Sequence, residues 1–202
     1  MTRPAVFVPL ALLLAGCTII PRGSAPVIPR ESAQQDLFWQ RLQALCGQAF
    51  PGRVTTTEPG DRQLAAARLV LHVARCGPDS VRIAFHASQD ASRVWVVART
   101  ANGFSLTHVE RDENGREQVR SHYGGETLSP GSARRQEFPA DVGTRGLFRR
   151  EGVAEAGDNV WSIEIQPGQL FGYAIDRPGR HLHIEFDLSR PIQPPGPAWG
   201  ER

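Results

Sequence analysis

His181, His183, Glu185 and Asp187 occupy alternate positions, and alternate residues of an extended strand project to one face. Two imidazoles at i and i+2 followed by a carboxylate make a donor set for zinc or copper, so His181, His183 and Glu185 are candidate metal ligands. The plainer reading is a solvated strand face on which Asp176 and His181 pair across two strands. A second candidate is His108, which strand alternation puts among aromatic and apolar residues. An imidazole there can orient a ligand or titrate near neutrality; otherwise it is a core histidine bonded to Ser121. His86, Asp90, Ser92 and Arg93 form a compact polar loop. It reads either as a binding loop or as a turn capped by Asp90 and Ser92, with Arg93 paired to a carboxylate.

Covalent chemistry finds little support. The chain has no G-x-S-x-G, H-E-x-x-H, P-loop or G-x-G-x-x-G motif and no C-x-x-C spacing. All 23 basic residues are arginine, which removes lysine-dependent Schiff-base and phosphate chemistry. Glu137, Asp141 and Glu164 are carboxylates that folding could bring together as a pair, but their spacing alone does not place them. Arg134-Arg135 and Arg149-Arg150 read as surface charge. No catalytic residue and no cofactor is expected. A formal net charge of +2 argues against nucleic acid as a partner.

The elements that would carry these residues are mostly strands. A capping-box pattern, Ser32-Ala-Gln-Gln35, precedes Phe38, Leu42 and Leu45 on one helical face, with Gly47 and Pro51 as the stop, predicting a helix over 33–46. Beyond Arg53 the period becomes two, through Leu69–Ala74, Val81–His86, Arg93–Arg99, Phe104–Glu110 and Arg116–Tyr123. Asn102-Gly103 and Asn114-Gly115 read as tight hairpin turns. They would set Val97 opposite His108, Leu106 opposite Tyr123 and His108 opposite Ser121. One face then carries Trp95, Val97, Phe104, Leu106, His108 and Tyr123. The stretch from Tyr123 to Pro139 reads as turn-rich, and Asp141 to Arg150 as a short helix. Three further strands centre on Trp161–Ile165, Phe171–Ile175 and Leu182–Leu188. Matching the faces of the first two requires a one-residue offset at Pro167-Gly168, whereas Pro178-Gly179 sets Asp176 opposite His181 directly.

Eight to ten short antiparallel strands joined in sequence predict an all-β protein. The expected form is an up-and-down, lipocalin-like β-barrel capped by the N-terminal helix, with a β-sandwich as the alternative. The expected divisions are a leader at 1–16, a tether at 17–33, one β-rich domain at 34–190 and a Pro-rich tail at 191–202.

Three cysteines divide by position. Arg3 and the apolar run Ala5–Leu14 have the form of a signal peptide, and the run would span only roughly 15 Å as a helix, too short to cross a bilayer. Leu14-Ala15-Gly16-Cys17 resembles the lipobox of bacterial lipoproteins, which implies cleavage before Cys17 and acylation of its thiol with diacylglycerol and palmitate. Thr18, where an inner-membrane retention signal would carry Asp, implies the periplasmic side of the outer membrane. Cys46 and Cys76 would then lie in an oxidising compartment and pair as a structural disulfide; two redox-active thiols are the alternative.

A broader resemblance rests on Phe85-His86, Asp90, Ser92-Arg93, Trp95, Tyr123-Gly124-Gly125, Gln136-Glu137-Phe138-Pro139-Ala140-Asp141, Asn159-Val160-Trp161 and Glu185-Phe186-Asp187-Leu188. Together these are similar to a family of uncharacterised secreted proteins and lipoproteins of Gram-negative bacteria, over Phe38 to Trp199. The resemblance implies a one-domain envelope protein and carries no activity. The expectation is therefore a non-catalytic lipoprotein that binds a small apolar or amphipathic ligand or an envelope partner, contacting the membrane through its lipid. Trp95, Phe104, His108, Tyr123, Trp161 and Tyr173 would line the ligand cavity. A structural or assembly lipoprotein with a filled barrel is the alternative, and an envelope hydrolase a more distant one. Replacing Cys17 by Ser should abolish acylation and leave the leader attached. Intact mass and membrane fractionation of the variant read both effects, and an unmodified thiol at Cys17 in the native protein would refute the lipobox reading.

Overall fold

The computed structural model of the chain describes residues 30–201. The leader, Cys17 and most of the expected tether lie outside the described residues. Alternating apolar and polar positions produce ten strands: β1 (Ala49–Val54), β2 (Leu69–Cys76), β3 (Ser80–Ala87), β4 (Asp90–Thr100), β5 (Gly103–Glu110), β6 (Tyr123–Glu126), β7 (Arg135–Pro139), β8 (Val160–Gln166), β9 (Leu170–Arg177) and β10 (Arg180–Asp187). They form one antiparallel sheet in the order β6-β5-β4-β3-β2-β1-β10-β9-β8-β7. Because β1 pairs with both β2 and β10, the sheet curls until its edge strands β6 and β7 meet. The result is a nearly closed all-β barrel, and the sandwich alternative is not realised.

Glycines make the seam possible. A Cβ on Gly125 would collide with the Pro139 carbonyl, and one on Gly124 with the Leu106 carbonyl. Helix α3 (Val142–Arg150) locks the junction, as its Thr144 hydroxyl accepts from the Gly124 N–H at 2.7 Å and donates to the Gly124 carbonyl at 2.8 Å. Asp141 caps this helix by accepting from the Thr144 N–H.

Inward side chains of every long strand form one core that includes Leu71, Val81, Ile83, Val97, Leu106, Ile163, Phe171 and Phe186. Helix α1 (Arg30–Gln43) plugs one end of the barrel. Its Phe38 and Leu42 are fully buried, and Phe38 and Trp39 pack on Phe104 at ring separations of 5.5 and 5.7 Å. The helix starts three residues before the expected position, so Ser32 lies inside it instead of capping it. Gly47, at φ +77°, reverses the chain after the last turn. The Cys46–Cys76 disulfide is present and ties the end of this helix segment to β2.

The expected hairpin registers are corrected. The β4–β5 turn falls at Ala101-Asn102, giving Trp95 opposite His108 and Val97 opposite Leu106. Asn114-Gly115 makes no tight hairpin: β5 ends at Glu110, residues 111–122 form an excursion, and β6 returns with Tyr123 opposite His108 and Gly125 opposite Leu106. No strand spans Arg116–Tyr123. Both corrections shift the pairing by two residues, so the expected face stays intact. The offset at Pro167-Gly168 is present, with Ile165 opposite Phe171, and His181 lies opposite Asp176. Strands β1 and β7 and the short helix α2 (Arg62–Ala66) were not expected.

The Pro-rich tail packs as a strap over the barrel's outer surface. Ile192 bridges Ala49, the Trp199 N–H donates to the Ala91 carbonyl, and Ala198 is buried against Ala84, Val94 and Val109. Glu201 accepts from Arg82 at 2.5 Å and from Arg111 at 3.1 Å. Among the described residues no helix is long and apolar enough to cross a membrane.

The disulfide closes a loop of 30 residues, for which chain entropy gives about 3–4 kcal/mol of stabilisation. The double variant C46A/C76A should melt well below the native protein, and reducing agent should lower only the native melting temperature. Identical melts would show that packing alone holds the helix.

Candidate functional site

The end of the barrel opposite α1 is open. Ten strands leave more interior than their side chains fill, and a cavity of about 640 Å³ opens between β3, β4, β9, β10 and helix α2. Its apolar wall includes Phe85, Trp95, Tyr173, Ile175, Leu182, Ile184 and Leu64, with His108 and Tyr123 at depth and Asp61, Asp90, Arg93 and Arg180 around the mouth. The volume lies within the range of small-molecule sites.

Aromatic rings build the floor. Trp95 stacks on Tyr173 at 4.0 Å and on Phe85 at 5.2 Å, both nearly parallel. Behind them His108 stacks on Tyr123 at 4.6 Å and meets Trp161 at 5.0 Å. His108 is 2% exposed and has a partner at each nitrogen. Its Nδ1–H donates to the Tyr123 carbonyl at 3.2 Å, so Nε2 accepts from the Tyr173 hydroxyl at 2.8 Å. Burial holds the imidazole neutral and pushes its pKa down to about 3. Burial also raises both tyrosines, and the Glu110 carboxylate, to which Tyr123 donates at 2.8 Å, adds to the rise.

Two ion-pair clusters frame the mouth. On one side Arg93 donates to Asp90 at 2.8 Å and lies 3.9 Å from Glu110. Burial raises the Asp90 carboxyl, but bonds from Ser92 and the Arg93 charge outweigh this and hold it below its ordinary value. On the other side Arg180 reaches Asp61 through both terminal nitrogens, at 2.6 and 2.8 Å, and Glu58 at 2.6 Å. The His181 N–H also donates to Glu58, and this bond leads the effects that lower its carboxyl.

The six expected cavity residues are therefore divided. Trp95, His108, Tyr123 and Tyr173 line the cavity, Trp161 backs His108, and Phe104 lies at the plugged end beneath α1. His108 does not bond Ser121; that hydroxyl accepts from the Glu110 N–H instead. The loop at Asp90 takes its capped-turn form, with Asp90 accepting from the Ser92 N–H at 2.9 Å.

The metal candidates do not converge. His181 pairs with Asp176, while His183 bonds Thr55 at 2.9 Å and lies 4.0 Å from Glu185. Among the described residues no group of three or more His, Cys, Asp or Glu side chains is arranged to hold a metal ion. Arg135 bridges Glu137 and Glu164, and Asp141 caps a helix, so these carboxylates form no acid–base pair.

Asp61, Arg180 and Glu58 were missed. Arg180 meets Asp61 across 119 positions, and no local pattern marks such a pair. No family model, no curated protein and no solved structure matches the chain. The site is accordingly read from its own chemistry.

Two further histidines lie on the outer face of the barrel, His86 buried and His72 half-buried. His72 and His86 are both held below the usual imidazole range, first by burial, and each has an unpartnered buried nitrogen. Depressed histidines stabilise the fold above the unfolded pKa of about 6.5, and that stability drains as acidification protonates the unfolded chain first. His108 alone should withdraw about 2 kcal/mol by pH 5. Denaturant titrations from pH 8 to 4 should show falling stability, with a shallower slope in His108→Gln. Stability that is flat across this interval would contradict a neutral, buried His108.

Proposed function

We propose that the chain is a non-catalytic, outer-membrane-anchored periplasmic lipoprotein whose barrel binds a small amphipathic ligand. It would stand with the secreted proteins and lipoproteins of Gram-negative bacteria that its motifs resemble. The observation that carries this reading is the 640 Å³ cavity, with stacked aromatic rings at its floor and ion pairs at its mouth. Side chains and α1 fill the opposite end, so the barrel is hollow on one side only. This favours a ligand over a purely structural barrel. Lipidation at Cys17 would keep the domain close to the membrane from which amphipathic molecules partition.

A polarity-sensitive fluorophore such as N-phenyl-1-naphthylamine should brighten and saturate on adding the protein. Ala67→Trp places an indole in the cavity lining and should weaken binding about tenfold with an unchanged melt. Saturable binding unaffected by Ala67→Trp would move the site elsewhere, and no binding would return the structural reading to first place.

A further inference from the structure

We infer that the cavity selects its amphipath by charge, admitting molecules whose polar end is cationic or uncharged and rejecting anionic ones. This rests on the cavity reading given above and follows from how the two mouth arginines are already engaged. Arg180 is shared by Asp61 and Glu58, and Arg93 faces Asp90 and Glu110. Asp61 and Asp90 line the cavity beside the two guanidiniums, and Glu58 and Glu110 stand behind them, so the two clusters together carry two negative charges over. An incoming carboxylate or phosphate would have to displace one of these partners.

Three of the four partners are also held independently of the arginines. Glu58 accepts from the His181 N–H at 2.6 Å, Asp90 from the Ser92 N–H at 2.9 Å, and Glu110 from the Tyr123 hydroxyl at 2.8 Å. Asp61, only 5% exposed, takes both prongs of Arg180 in a planar fork. Neither arginine can swing to a new anion without stranding a carboxylate in a partly buried place. The two tyrosine protons are already given to His108 and Glu110. At the distances and screening of a half-open mouth, two excess charges amount to about tenfold in affinity.

Displacement of bound naphthylamine by three probes of equal chain length tests this on the purified protein. Dodecylammonium and monolauroylglycerol, each below its micelle concentration, should displace the fluorophore at least about tenfold more effectively than dodecanoate at neutral pH. High salt should shrink the gap. Glu110→Gln keeps an acceptor for Tyr123 and should narrow the gap by about threefold. Dodecanoate binding as tightly as the other two, or a gap indifferent to salt and to Glu110→Gln, would overturn charge selection and leave the cavity reading standing. Failure of every probe to displace a saturably bound fluorophore overturns the amphipath class itself, and failure of the fluorophore to bind removes the cavity reading.

Discussion

Ten strands curved into a barrel enclose more space than inward side chains can fill, and the rest of the structure answers that excess. At one end α1 inserts Phe38, Trp39 and Leu42, and the disulfide at Cys46 keeps this plug attached to β2. Across the middle the rings of Trp95, His108, Tyr123, Trp161 and Tyr173 interlock into a partition. A histidine fits such a partition only when neutral, because its two nitrogens must find one donor and one acceptor where water cannot help. The Tyr173 hydroxyl and the Tyr123 carbonyl supply them. Beyond the partition the side chains of β3, β9, β10 and α2 fill the barrel only in part, and the cavity is what remains.

Closure imposes its own demands on sequence. Edge strands β6 and β7 approach side by side, too near for side chains at Gly124 and Gly125, and α3 supplies the hydrogen bonds that a regular ladder would have made. The outer surface is handled differently. Small residues Ala84, Val94 and Val109 would leave an apolar stripe in water, and the proline-rich tail covers it with Ala198 and anchors through Glu201. A tail with four prolines cannot join the sheet as a regular strand, which suits it to crossing a surface instead of extending the ladder.

Which residues face inward was legible in the sequence, and how the strands register was not. Side-chain alternation has period two, so the displaced turn at Ala101-Asn102 and the long excursion after Glu110 each moved pairing by two and returned the same residues to the interior. His108 was thus correctly seen among aromatics, although its partners were misassigned. Strand β1 escaped notice because Pro51-Gly52 breaks its alternation; Gly52 is needed where Phe186 occupies the space a Cβ would take. The mouth was least legible. Arg180, Asp61 and Glu58 look like ordinary surface charges until β10 and the segment after β1 are brought together.

Polarity along the barrel axis follows from these same contacts. The partition spends its hydroxyl protons internally, so the floor is apolar ring carbon with no free hydroxyl donor. The charges stand at the mouth, where solvent still reaches Asp90 and Arg93 and where an ion pair costs less to keep. An interior that changes from apolar to charged over the depth of one cavity matches a molecule with the same gradient. A wholly apolar guest would leave the mouth groups facing hydrocarbon, and a wholly polar one would gain nothing from Trp95 and Tyr173. The proposed fit to an amphipath therefore rests on the way the fold resolves its spare volume: rings where water is excluded, paired charges where it is not.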